Sequence, residues 1–439
     1  MTTATGYDIA RSQAIFDEEA KFLAPGTQSV ATMSKLTMDR GEGAVLWDLD
    51  GNRYVDLLAG VGVASLGYGH PRYVAAMSKQ VARTHVGSFT SEHRAQLVKL
   101  IASLTPGDLN RTQLYSGGAE AVEAAIRLAM SHTGKKEVIG FWGGFHGKTG
   151  GVLPLLGSSF KHDLFPMMGG RYSSPYASCA RCHFDKTFPA CNWFCVDFLR
   201  KKIQLETTNN VAAILVEPIQ GTAGNVVPPA GYLKVLRQLA DELGALLICD
   251  EMITGFGRTG KMFGIEHEGI VPDVMTVGKG FGGGFPVSGL IASEKVAFAK
   301  PFALPSGSSS SYGGNPLASA AAHVTVQTIV EDNLVEHSRK LGEKMMATIR
   351  GWKHPMVSDV RGRGLMIGLD LVEPGSRKLI AKSAARWIFD QCLARGVIAM
   401  IYNPEVRINP PLVITEEQAM EALQAVRGVL DEAAERPRS

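Results

Sequence analysis

The sequence predicts an α/β protein: a mostly parallel sheet in one large unit, with a smaller α+β unit attached. Three observations predict it. Between about residues 110 and 293, short apolar runs alternate with segments of helical length. The runs are apolar throughout rather than at every second position, as in strands covered by helices on both faces. And 439 residues are enough for a large α/β unit plus a second, smaller one.

Taken in order, the elements bear this out. WDLDGNRYVDL, within residues 20–60, reads as a hairpin around Asp50-Gly51 and is assigned to the smaller unit. Leu114-Tyr115 ends an apolar run before a Gly-Gly turn. Further runs cover residues 137–141, 211–216 (VAAILV), 245–249 (ALLIC), 273–277 and 289–292. Residues 316–350 read as one long helix with Pro in its first turn and an Ala-rich start. Residues 357–372 and 397–401 read as strands flanking a helix over 377–394, and Thr415-Glu416-Glu417-Gln418 as the capping box of a last helix. The expected division is 1–67 (first part of the small domain), 68–325 (large domain) and 326–439 (rest of the small domain).

Composition narrows the function. Hydrophobic residues at 45% and charged residues at 20% are ordinary for a globular protein. A formal charge of +3, with Lys and Arg scattered, argues against a nucleic-acid partner. No apolar run approaches the roughly 20 residues that span a bilayer, so no membrane association is expected. Residues 1–20 are polar and lack the apolar core of a signal peptide, which predicts a cytoplasmic protein with reduced thiols. Of six cysteines, Cys249 and Cys392 sit among apolar neighbours as core residues. The other four, Cys179, Cys182, Cys191 and Cys195, are spaced C-x2-C-x8-C-x3-C. Four thiolates so spaced can hold a structural zinc. The x3 pair and the lack of other zinc-ribbon features favour reduced loop cysteines, so no metal is assigned.

In parallel sheets ligands bind beyond the carboxyl ends of the strands. Three groups stand there. Ser116-Gly117-Gly118-Ala119-Glu120 precedes a helical run, where backbone N–H groups and the helix dipole can cradle a phosphate; a plain strand-to-helix turn explains it equally well. Asp250-Glu251 ends the ALLIC strand, where a carboxylate can hold a protonated pyridine nitrogen, a metal or a ribose, or simply form a salt bridge or cap. Lys279, between Gly278 and Gly280, is a lysine that can be desolvated and form a Schiff base, or a loop lysine with no role. A phosphate anchor, a carboxylate and an amine together are what pyridoxal 5′-phosphate (PLP) requires.

The segments DEMITGFGRTG (250–260), PDVMTVGKGFGGGFPVSG (272–289) and SYGGNPLASAAA (311–322) resemble the class III, ω-amino acid type, PLP-dependent aminotransferases of fold type I. The likeness runs from WDLDGNRYVDLLAGVGVASLGYGHP to VRINPPLVIT. It implies a large domain with a seven-stranded-type sheet, PLP as cofactor, and a homodimer with the active site at the subunit interface. It implies amine or amino-acid and 2-oxo acid substrates. Lys279 becomes the Schiff-base lysine and proton carrier, and Asp250 the partner of the ring nitrogen. Gly117, Gly118 and Ala119 bind the phosphate, although the family usually has Ser in place of Ala119. Phe145 and Met252 pack on the two ring faces, with His146 and Glu217 close by. Ser311 reaches the phosphate of the neighbouring subunit. Arg407 matches the arginine that binds a substrate carboxylate. Val61 and Val63 resemble pocket positions. Thr222 stands where relatives often carry a Glu that neutralises the arginine, which leaves Arg407 without that internal partner.

The cysteine-rich insert, residues 175–198, resembles one in a branch that includes γ-aminobutyrate aminotransferases and amino-acid racemases. Amino-group transfer is therefore the leading expectation, racemisation or epimerisation on the same fold the alternative, and lyase chemistry the third. A nucleotide-dependent dehydrogenase is disfavoured, because no G-x-G-x-x-G follows a first strand.

Overall fold

The computed structural model describes residues 7–164 and 166–436, so the first six residues of the polar N-terminal stretch lie outside it. Among the described residues three sheets form. The central one has seven strands, ordered from edge to edge Leu109–Tyr115, Ser288–Ser293, Val274–Val277, Leu246–Asp250, Val211–Val216, Glu137–Phe141 and Arg171–Ser174. The last five are mutually parallel, whereas Ser288–Ser293 runs antiparallel to both its neighbours. The apolar runs are strands for the expected reason: every residue of Val211–Val216 and of Leu246–Asp250 is buried. The helices covering them carry apolar faces at helical spacing. In Tyr232–Leu243 the buried positions are Tyr232, Leu233, Leu236, Leu239 and Ala240.

A four-stranded sheet joins the two ends of the chain. The hairpin Val45–Asp48 and Arg53–Asp56 pairs antiparallel around the Asp50-Gly51 turn, Met38–Glu42 flanks it, and Val397–Ile398 adds to Arg53–Asp56 in parallel. A three-stranded antiparallel sheet holds Val357–Arg363, Met366–Leu371 and Glu405–Ile408.

Two expectations are corrected and one element is added. Residues 316–350 form two helices, Pro316–Glu331 and Leu334–Gly351. The break falls at Asn333, which takes the left-handed conformation (φ 53°) that Asn tolerates better than most residues. The helix expected from 377 starts at Lys382, because the N–H of Ile380 is drawn to the carbonyl of Leu371 instead. The edge strand Arg171–Ser174 was not anticipated, since RYSS has no apolar run. No helix among the described residues is long and apolar enough to cross a membrane.

Candidate active site

The carboxyl ends of the parallel strands converge on one cavity of about 340 Å³, within the usual range for a small-molecule or cofactor site. Asp250 is the last residue of its strand, and Lys279 follows Val274–Val277 by two residues. Phe145 and His146 follow Glu137–Phe141, and Ser116 precedes the helix Gly118–Thr133. All of these line the cavity, together with Ala119, Met252 and Val63. Met252 fits only because Gly278 has no side chain: a Cβ there would stand 2.6 Å from the Met252 sulfur.

The cavity is chemically asymmetric. Asp250 is buried, and its two oxygens each hold one partner: Oδ2 is 2.7 Å from His146 Nδ1, and Oδ1 accepts from the Met252 N–H at 3.1 Å. A carboxylate has capacity beyond two bonds, so another donor can be taken. For His146, burial is the largest influence and disfavours its charge. The hydrogen bond and charge of Asp250, with the charge of Glu217, nevertheless raise its pKa above the ordinary value. Lys279 is pushed below the usual lysine range, first by burial and also by the Arg407 charge, with Asp250 and Glu217 pulling the other way. At the helix start, the Glu120 carboxylate takes the N–H groups of Ser116 and Gly117. The next N–H groups, those of Gly118 and Ala119, are left for a ligand at the positive end of the helix.

Glu217 stands behind the cavity. Its carboxylate accepts from the N–H groups of Phe145 and Gly221, each at 2.9 Å, and so fixes the loop that presents Phe145. Burial raises its pKa. Arg407, on Glu405–Ile408, is buried as well, and burial pulls its pKa down. Thr222 is exposed. The neighbour of the Arg407 guanidinium is the Tyr402 hydroxyl, so the arginine has an internal polar partner, but a neutral one. Val61 packs with Tyr402 against the cluster of Tyr54, Leu58, Ile398 and Met400, and Val63 takes the cavity wall. Ser311 and Gly117 are exposed.

The donor set fits PLP: an amine, a carboxylate with spare acceptor capacity, a helix N-terminus, and two side chains, Phe145 and Met252, for the faces of a flat ring.

Comparison with known proteins agrees. The model of the family described as "Aminotransferase class-III" matches residues 27–430. The chain belongs to the class III aminotransferases. It uses pyridoxal phosphate and moves an amino group between an amine or amino acid and a 2-oxo acid. Among its relatives are the acetylornithine aminotransferase of Methanopyrus kandleri, 38% identical over 90% of this chain and 94% of that protein. The leucine/methionine racemase of Thermococcus litoralis is 33% identical over 92% of each. Solved structures of the same fold include an (S)-enantioselective omega-transaminase from Thermomicrobium roseum (TM-score 0.89, 28% identity, 97% of this chain and 99% of that one). Another is an amine transaminase from an uncultivated Pseudomonas species in its PLP-bound form (TM-score 0.87, 27% identity, 94% and 99%).

Two features were not assigned from sequence. The loop Gly284, Phe285, Pro286 and Val287 closes one side of this aminotransferase's cavity. It lies inside the GFGGGFPVSG motif, which was the available signal. Tyr402 beside Arg407 had no signal. The cysteines Cys179, Cys182, Cys191 and Cys195 are free thiols, and among the described residues no three Cys, His, Asp or Glu side chains are grouped to hold a metal ion. All four line one small pocket, with rings packed around them: Phe184 lies 5.0 Å from Phe194 and Phe188 4.7 Å from Trp193.

Proposed function

We propose that this aminotransferase works on amino donors and acceptors that carry a carboxylate, with Arg407 holding that group while Lys279 handles the amine. The observation that carries this is the state of Arg407. It is 9% exposed, its charge is felt at Lys279, and among the described residues no carboxylate lies within ion-pair distance of it. The Glu217 charge also favours this guanidinium, but from beyond ion-pair distance, and the group beside it is a neutral hydroxyl, so a planar, bidentate carboxylate supplies the contact that is missing. Acetylornithine, named in several relatives, carries such a group, as does every 2-oxo acid.

Bound PLP supplies an aldehyde for the substrate amine and a ring that withdraws the electrons left when the neighbouring proton departs. The protein does the rest. Asp250 holds the ring nitrogen charged, and His146 anchors that carboxylate. Gly118 and Ala119 hold the phosphate. Lys279 Nζ, kept below the normal lysine pKa, takes the proton from the carbon bearing the amine and delivers it elsewhere. We further read residues 1–67 and 326–439 as a small domain around a large one, 68–325, and the enzyme as a homodimer in the cytoplasm. Ser311 supports the dimer. It is exposed beside Tyr312, itself 64% exposed, which suits a contact with a second copy whose phosphate site Ser311 reaches. Six free thiols suit a reducing compartment.

The test is Arg407→Ala, assayed with carboxylated and plain amine donors against pyruvate and 2-oxoglutarate. KM for carboxylated partners should rise by roughly 10- to 100-fold, as for one charged hydrogen-bonded contact. A plain amine should be much less affected, and equal losses would overturn the reading. Recovered donor is analysed for configuration in the same assay. Loss of configuration without group transfer would favour the racemase chemistry for which the Thermococcus litoralis relative is named.

A further inference from the structure

The wall of the cavity beside Val63 is built on a strained turn. Ala59, Gly60, Val61 and Gly62 take φ values of 51°, 58°, 68° and 75° in succession, one turn of left-handed backbone. Glycine enters that region freely. Alanine does so at a cost, and β-branched valine at a larger one. Such a turn persists only where its surroundings over-determine it.

Asp56 supplies the surroundings. Its Oδ1 accepts from the N–H of Leu58 at 2.7 Å and from that of Ala59 at 3.0 Å. Its Oδ2 accepts from the same Ala59 N–H at 3.0 Å and from the Tyr68 hydroxyl at 2.7 Å. Asp56 is 1% exposed, and the buried Arg258 adds a compensating charge. One carboxylate thus ties the entry of the turn to Tyr68, which lies beyond its exit.

The turn is fastened on both sides to groups of the proposed reaction. The carbonyls of Leu57 and Ser65 accept from the N–H groups of Asn409 and Leu412, each at 2.8 Å, in the segment that leaves Arg407. On the opposite side it lies against the backbone next to Lys279. A Cβ on Gly280 would come 2.2 Å from Ser65 Oγ and 3.4 Å from the Gly62 carbonyl. The segment therefore spans from the Arg407 side to the Lys279 side. If it only had to join Asp56 to Ser65, glycine at 61 would do so without strain.

We propose that Asp56 is a positioning residue: through this left-handed turn it sets the distance between Arg407 and Lys279, and with it the separation of carboxylate and amine that a substrate must have. The proposal rests on the reading of Arg407 as the carboxylate site. Its consequence is a discrimination by spacing, seen across a series of α-, β- and γ-amino acids.

The experiment compares Asp56→Asn, Tyr68→Phe and Val61→Gly with the parent holoenzyme and with Arg407→Ala across that series and a plain amine. Melting temperature and the visible absorbance of bound cofactor are read alongside activity. Asp56→Asn keeps the size of the side chain but turns an amide N–H₂ toward the donors it now accepts. KM for the preferred spacing should rise about tenfold, the scale of one lost ordering contact, with kcat changing far less. The profile across the series should flatten, and the plain amine should be untouched. Tyr68→Phe should move the same profile in the same direction by less, and it carries the test if Asp56→Asn does not fold. Val61→Gly should flatten the profile while holding or raising the melting temperature, because it removes strain.

If Arg407→Ala abolishes the carboxylate preference while the profiles of Asp56→Asn and Tyr68→Phe keep their shape, the proposal is overturned and the Arg407 reading stands. If Arg407→Ala leaves the preference intact, the Arg407 reading falls and takes the proposal with it. Equal losses on every substrate and on cofactor absorbance in the Asp56 and Tyr68 variants would make the clamp purely structural and overturn the proposal.

Discussion

Asp250 and Glu251 are consecutive acids at one strand end, yet they serve opposite sides of the molecule. Asp250 faces the cavity, bonded to His146 and the Met252 N–H. Glu251 turns back into the protein. It accepts from the N–H groups of Gly264 and Ile265 at 2.8 Å and from the Thr254 hydroxyl at 2.5 Å, which pins the short helix Gly264–His267 behind the sheet. Successive side chains at the end of a strand leave on opposite faces, so one short motif faces the cavity on one side and the protein's own backbone on the other. The two sides also differ in what they leave open. Asp250 keeps acceptor capacity for a ligand, whereas the partners of Glu251 all come from the protein itself.

The largest effect should separate the sides most cleanly. Lys279→Ala, on the cavity side, should abolish turnover. Borohydride reduction should no longer trap cofactor on the protein, and peptide mapping of the reduced parent should find the label at 279; a label on another lysine would break the assignment. Asp250→Asn should lower kcat by roughly 100-fold or more, the scale of a buried charge-assisted bond of about 3 kcal/mol, with the melting temperature nearly unchanged. Near-normal kcat would remove Asp250 from the reaction.

Glu251→Gln should reverse the pattern, with kcat within about threefold of the parent but a lower melting temperature, because an amide leaves one of the buried N–H groups unpaired. A pH signature sharpens this. Burial raises Glu251 from 4.5 to about 7 in the folded state, against the pull of its hydrogen bonds. The folded protein then holds a proton that the unfolded chain has already released. The contribution of this residue to stability therefore falls as pH rises from 4.5 to about 7 and is level above that. Melting curves across that window should show the slope in the parent and lose it in Glu251→Gln. An unchanged slope would assign it to another group.

The cavity side was legible in the sequence because buried parallel strands are apolar until they end. The first polar residues after LLIC and VMTV are therefore conspicuous, and they are the ones that meet in space. Spacing alone was a poorer guide. The four loop cysteines do meet around one small pocket, as their spacing suggests, but they sit among aromatic rings, and no group of three is set for a metal ion among the described residues. The break at Asn333 was hidden because no Gly or Pro stands between Leu317 and Leu341 to mark it. Tyr402 could not be tied to Arg407, since a strand reversal between them, bridged at Met400 and Arg407, decides that contact. Asp56 drew no notice inside WDLDGNRYVDL because its importance lies in three hydrogen bonds to one turn and a fourth to Tyr68, which no residue pattern announces.

The parallel pairing of Arg53–Asp56 with Val397–Ile398 has a consequence for the order of events during synthesis. The hairpin Val45–Asp48 and Arg53–Asp56 leaves the ribosome long before its partner strand exists. One edge of it must wait unpaired while more than three hundred residues are made, and so must the Leu57 and Ser65 carbonyls that later meet Asn409 and Leu412. Contacts so distant in sequence form slowly. A nascent chain can thus complete the sheet that carries Asp250 and Lys279 well before the turn beside Val63 gains its partners from the end of the chain. Chaperone protection, if this chain needs it, is needed at that waiting edge.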